Sequence, residues 1–105
     1  MKVLYITCDS HVSEEDIPNT LEELQAKVDG HIEVIVLTER WRLIINEEGK
    51  LRELPKNQKA TRLFQSFCYT NDFVAGNAVV TAVDASGEDF ESLSPGEILI
   101  IRNAI

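Results

Sequence analysis

The sequence predicts an α+β domain: a small mixed or antiparallel sheet with a helix after the first strand, a central β-hairpin and a C-terminal helix. Three observations carry that expectation. Runs rich in Ile, Val and Leu stand at Lys2 to Thr7, Ile32 to Leu37 and Ala78 to Val83, each of strand length and short for a helix. Behind the first run, Asn19-Thr20-Leu21-Glu22-Glu23 offers a helix cap that leads into an apolar stripe. Near the end, Ser94-Pro95-Gly96-Glu97 combines a cap residue, a proline at the first helical position and a carboxylate at the third.

Lys2 to Thr7 is β-branched and aromatic with a rough alternation, so it reads as a strand ending near Cys8. Asp9 to Pro18 carries Glu14, Glu15 and Asp16 and reads as a polar loop. A helix opens at Asn19 or Thr20, since Asn19 with Glu22 and Thr20 with Glu23 both fit a capping box. Leu21, Leu24 and Val28 fall at i, i+3 and i+7 and should face the sheet, and Gly30 supplies the stop. Ile32 to Leu37 is nearly all aliphatic, the pattern of a strand buried on both faces. Thr38-Glu39-Arg40 turns it into the alternating strand Trp41 to Asn46. Asn46 to Lys50 is a turn in which Gly49 suits a positive φ, and Leu51 to Leu54 would complete a short hairpin.

Pro55 to Thr61 is polar and irregular, and Arg62 to Tyr69 tolerates either helix or strand. The spacing of Leu63, Phe64, Phe67 and Cys68 favours the helix. Thr70-Asn71-Asp72 is a turn, Phe73 to Ala75 a short extended piece, Gly76-Asn77 a bend and Asp84 to Glu88 a second turn around the strand Ala78 to Val83. Ile98 to Ile101 alone would suit a strand, but the cap before it predicts a helix over Pro95 to Asn103.

A chain of 105 residues, 44% of them hydrophobic, is read as a single domain spanning 1–105; at this length roughly 65% of the unfolded surface is buried without metals or disulfides as staples. No apolar run reaches the roughly 20 residues of a membrane-spanning helix, and Met1 to Thr7 is too short and polar-ended for a signal peptide. Two distant cysteines, Cys8 and Cys68, suit reduced thiols. The expectation is a cytoplasmic protein without a membrane partner or a cofactor.

Several pieces together resemble a known family, "domain of unknown function 3846", seen in phages and bacterial mobile elements. They are Leu21-Glu22-Glu23-Leu24-Gln25, Val28-Asp29-Gly30-His31-Ile32-Glu33-Val34, Asn46-Glu47-Glu48-Gly49-Lys50-Leu51, Leu54-Pro55-Lys56-Asn57, Gly76-Asn77-Ala78-Val79-Val80 and Gly87-Glu88-Asp89-Phe90-Glu91-Ser92-Leu93. Lys59 to Asp72 runs longer than the family's pattern, and Asp9 to Pro18 matches no part of it. The resemblance implies a phage or mobile-element origin and a compact α+β fold, and it brings no catalytic residues.

The net charge is −8, with 10 Lys plus Arg against 18 Asp plus Glu, but it is unevenly spread. Lys50, Arg52, Lys56, Lys59 and Arg62 face only Glu53 between positions 50 and 62, so this segment is +4 and the remainder −12. With Asn57, Gln58 and Thr61 among its cations, the segment suits a phosphate-bearing ligand; the plainer reading has the cations solvated or paired with the protein's own carboxylates. Direct DNA binding is disfavoured, because duplex wants positive potential over a wide face. Trp41 between Arg40 and Arg42 has the composition of a binding hot spot or a base-stacking platform, although a lone tryptophan in an alternating strand is more often core. Phe64, Phe67, Tyr69 and Phe73 bunch together and, where exposed, would mark a partner or homo-oligomer surface.

Cys8-Asp9-Ser10-His11 follows a strand and invites a nucleophile, but no glycine-rich elbow stands nearby. Cys8, His11, His31 and Cys68 lack the paired spacing of structural zinc sites, so no metal is expected. Asp84-Ala85-Ser86-Gly87-Glu88-Asp89 is rich in oxygen ligands, yet its glycine comes fourth and the position of the bidentate glutamate is Pro95, which excludes an EF-hand. The resulting expectation is a non-catalytic binding or accessory protein that engages a host protein or a small anionic, nucleotide-like ligand, with no catalytic residues assigned. The ligand-binding set is Lys56, Asn57, Lys59, Arg62, Trp41 and Tyr69. Two other classes stand behind it: an acidic DNA-mimic decoy of a host nucleic-acid-binding protein, and, last, a small enzyme using Cys8 and His11.

Overall fold

The computed structural model describes residues 1–105, which form nine elements in the order β1 (Lys2–Ile6), β2 (Val12–Asp16), α1 (Leu21–Val28), β3 (Ile32–Val36), β4 (Trp41–Asn46), α2 (Gln58–Cys68), β5 (Ala78–Val83), β6 (Phe90–Glu91) and α3 (Pro95–Asn103). All six strands join one sheet, β2-β1-β5-β4-β3, and short β6 continues beside β5 where β1 leaves off. Every pairing is antiparallel. The fold is α+β as the sequence predicts, with the helix after the first strand region, the C-terminal helix and a central hairpin, here β3–β4.

Helices cover both faces of the sheet. Leu24 and Val28 of α1 pack on Val3, Ile44 and Val79 on one face. Ala60 and Leu63 of α2 and Ile98 and Ile101 of α3 pack on Leu4, Ile6, Leu43 and Val80 on the other. Central β5 is therefore buried at all six residues, which is why Ala78 to Val83 shows no polar alternation.

Four expectations are corrected. The stretch Asp9 to Pro18 is not a loop, because Val12 to Asp16 pairs along the whole of β1; backbone hydrogen bonds and an edge position make a strand of residues with no apolar alternation. β3 is not buried on both faces, since it is the opposite edge, with Val34 42% and Val36 58% exposed. Leu51 to Leu54 forms turns instead of a strand, and Leu51 is exposed. Gly49 does not take a positive φ; it is needed because a Cβ there would sit 2.3 Å from the Ala75 carbonyl oxygen.

Smaller differences concern helix ends. Thr20, not Asn19, caps α1 by accepting from Glu23 N, and Asn19 instead donates to Phe90 O. Asp29 takes the left-handed position ahead of Gly30, while Leu21 of the apolar stripe is exposed. Helix α2 begins at Gln58, four residues before the segment Arg62 to Tyr69.

Candidate functional site

The basic segment divides once it is folded. Lys50 pairs with Asp72, and Arg52 donates to the Asp29 carbonyl at the end of α1 at 2.7 Å, with the Asp29 carboxylate 3.5 Å away. Lys56, Lys59 and Arg62 have no carboxylate within ion-pair distance, unlike these two.

Asn57 sets the position of these three cations. Its side chain accepts from Ala60 N as the cap of α2, and its Nδ2 donates to Ile6 O and Gly76 O at 2.9 and 3.0 Å. Asn57 N donates to Val74 O, and Gly76 N to Pro55 O. Thr61 Oγ1 accepts from Val74 N at 2.9 Å. The start of α2 is thus stitched to residues 74–76, and helical spacing sets Gln58, Arg62 and Gln65, all exposed, on one side of the helix with buried Thr61 at the base of that side. With Lys56 they line an open hollow of about 220 Å³ containing no acidic side chain.

Only two of the six expected ligand residues, Lys56 and Arg62, lie in this hollow. Asn57 is fully buried with both side-chain atoms engaged inside the chain. Lys59, the next helical residue but one, is half-buried and outside the lining. Tyr69 is 95% exposed but caps the far end of α2, roughly 16 Å along the axis from Gln58 at 1.5 Å per residue. The aromatic ring beside the cations is Phe73, which has Lys50 Nζ at 4.7 Å and Lys56 Nζ at 5.8 Å from its centroid. Gln65 was not singled out by the sequence; once α2 is extended back to Gln58, its i+7 spacing identifies it.

Trp41 belongs to another arrangement. It is 9% exposed, meets Phe67 edge to face at 5.7 Å and donates Nε1–H to Glu97 Oε2 at 2.6 Å. Arg40 holds the same carboxylate with two bonds, of 3.0 and 3.2 Å, donates to Val83 O and pairs with Glu91. Glu97 also closes the capping box of α3 with Ser94. The Arg40 guanidinium, helped by Ser94 N and the Trp41 indole, holds the Glu97 carboxyl down at about 2, and the two carboxylates raise Arg40 in turn. Arg42 points its Nη1 back to Thr38 O at 2.7 Å. Arg40 and Trp41 therefore tie α3 to the sheet, while Arg42 closes the turn before β4.

The remaining motifs are structural in geometry. Cys8 Sγ donates to Pro55 O at 3.4 Å, and burial pushes this thiol up, away from thiolate reactivity. His11 is exposed. No three His, Cys, Asp or Glu side chains converge as metal ligands. In the turn after β5, Asp84 Oδ1 accepts from the Ser86 hydroxyl and from Glu88 N and Asp89 N, bonds that lower its pKa. No helix is long and apolar enough to cross a membrane.

Among comparisons with known proteins, the family model "Domain of unknown function (DUF3846)" matches residues 1–103. No curated protein and no solved structure matches the chain.

Proposed function

The chain belongs to the DUF3846 family, and from that premise we propose that it is a non-catalytic binding protein, of phage or mobile-element type and acting on a host factor, that holds the phosphate end of a small anionic ligand in the hollow beside α2. One observation carries this reading: Lys56 and Arg62, free of carboxylate partners, line a hollow with only Gln58, Thr61 and Gln65 for company, on a chain whose net charge is −8. Two cations without a carboxylate partner, set in one hollow with no acid among its lining, keep a local positive potential that suits an anion. Guanidinium and ammonium donors suit phosphate oxygens, the first as a fork and the second as a point charge.

The hollow is smaller than the roughly 300–1,000 Å³ of pockets that enclose drug-sized ligands. It accommodates a phosphate group, and the rest of a nucleotide extends outward, where Phe73 offers a ring face. In this reading Phe73 replaces Trp41 and Tyr69 as the stacking residue, and Gln58 and Gln65 replace Asn57 as the amide donors.

Calorimetric titration with ADP, adenosine and inorganic phosphate tests the reading. ADP is expected to bind, adenosine is expected not to, and Arg62→Glu is expected to abolish ADP binding while the melting temperature stays nearly unchanged, because Arg62 is exposed and unpaired. Unaltered affinity in Arg62→Glu would sink the assignment.

A further inference from the structure

The two edges of the sheet are built differently. In β3, His31 O accepts from Glu47 N and Leu37 N donates to Trp41 O, so by antiparallel alternation residues 31, 33, 35 and 37 turn their peptide groups toward β4. Ile32, Val34 and Val36 turn theirs away from the sheet. Of those outward groups the Val36 carbonyl takes the Cys68 thiol at 3.4 Å, and those of Ile32 and Val34 bond to nothing in the chain. Edge strands that stay single are blunted by charge, proline or a bulge. Edge strand β2 follows that rule with Glu14, Glu15 and Asp16, whereas β3, Ile32-Glu33-Val34-Ile35-Val36, has one charge and leaves two valines exposed.

Register assigns the faces. Val34 lies opposite Ile44, on the α1 side, and Glu33 and Ile35 lie opposite Ile45 and Leu43, on the α2 side. On this α2 side a pocket of about 310 Å³ adjoins the edge, with walls from Ile35, Ile45, Phe64 and Phe73. Its rim carries Glu33 and Glu47, neither of them in an ion pair, while Asp72 there is matched by Lys50.

We propose that the open edge of β3 docks an extended segment of a partner protein, which adds as a further antiparallel or parallel strand and places an arginine or lysine side chain in this pocket. The outward peptide groups of Ile32 and Val34 supply main-chain bonds, and the period-2 alternation of a strand sorts the partner's side chains. Aliphatic residues beside Val34 and Val36 cover those valines. On the other face the methylene stem of the basic residue lies on Ile35, Phe64 and Phe73, and its head meets Glu33 and Glu47. Charge decides between this occupant and a second copy of the chain. A second copy would bring its own Glu33 and a further −8 to an edge that already has two unmatched carboxylates.

Fluorescence anisotropy tests the proposal with a labelled ten-residue peptide of alternating valine and threonine bearing one central arginine, and with its glutamate twin. The arginine peptide is expected to bind at least about tenfold more tightly than the twin, and Glu33→Lys to weaken it about tenfold. Val34→Pro removes an outward N–H without touching the β4 ladder, so it is expected to abolish binding. Glu33→Lys, whose side chain is exposed, serves as the check if Val34→Pro does not fold. Equal binding of the two peptides, no binding of either, or a wild-type dimer in light scattering that Val34→Pro dissociates would each overturn the proposal.

Discussion

Replacing Glu97 by glutamine removes the ion pair that fastens α3 to the sheet, and the part of its effect that comes from charge has a distinctive pH dependence. The glutamine keeps the shape, and its carbonyl can still accept from Trp41 Nε1; its amide then stands in place of Oε1, so it removes the charge that meets Arg40 Nε at 3.0 Å and Nη2 at 3.2 Å together with the acceptor of Ser94 N, and only the first of these losses depends on pH. A carboxyl held at about 2 in the folded chain, against an ordinary 4.5, draws at most about 3.4 kcal/mol from folding. Arg40 is 40% exposed, so solvent screens the pair, and about 1–2 kcal/mol is the expected loss at pH 7. Because the folded pKa lies below the unfolded one, this contribution is complete above pH 4.5 and is lost as pH falls toward 2; at pH 3 about two-fifths of it remains. Urea denaturation of wild type and Glu97→Gln at pH 7 and pH 3 measures both deficits. An equal deficit at the two pH values, or none at pH 7, would refute the argument.

The other predictions concern the stitching around the site and the site itself. Asn57→Ala removes the cap of α2 and leaves Ile6 O and Gly76 O without their buried donor; about 3 kcal/mol of stability is expected to go, and a urea-derived loss below 1 kcal/mol, on the order of a cap alone, would contradict that role. Gly49→Ala places a methyl 2.3 Å from the Ala75 carbonyl oxygen and is expected to cost about 2 kcal/mol or more, read as a lowered melting temperature. Arg62→Glu is expected to lose ADP with almost no thermal shift, and Glu33→Lys to weaken the arginine peptide about tenfold while retaining ADP, since the two residues line separate pockets.

The legible parts of the sequence were those where local chemistry and tertiary position agree. Ser94 and Glu97 form the capping box that their spacing foretells, and Ala78 to Val83 is the strand that its aliphatic run predicts. Composition misleads at the edges. Val-Ser-Glu-Glu-Asp has no strand pattern, and β1 makes it one by offering five partners in register. Ile-Glu-Val-Ile-Val has the pattern of a buried strand, and its place beyond β4 leaves it half uncovered. A period of two reports which residues alternate, and it is silent on whether a helix reaches far enough to cover them.

The site shows the same division between residue type and placement. The +4 segment was visible by counting, but its carboxylate partners were not, because Asp72 and Asp29 reach Lys50 and Arg52 only through the fold. Folding also answers the surplus acids of β2: Glu14 meets Arg102, Glu15 meets Lys27, and Asp16 meets the N-terminal amine. Among the groups left unmatched, two sets line a hollow or a pocket. Lys56 and Arg62 line the hollow, Glu33 and Glu47 line the pocket, and Phe73 of that pocket has its ring centroid 5.8 Å from Lys56 Nζ. The bonds of Asn57 and Thr61 to residues 74–76 fix the start of α2, which carries Arg62, against the segment that gives Phe73 and Ala75 to the pocket, and so keep an anion-seeking hollow and a cation-seeking pocket available at once.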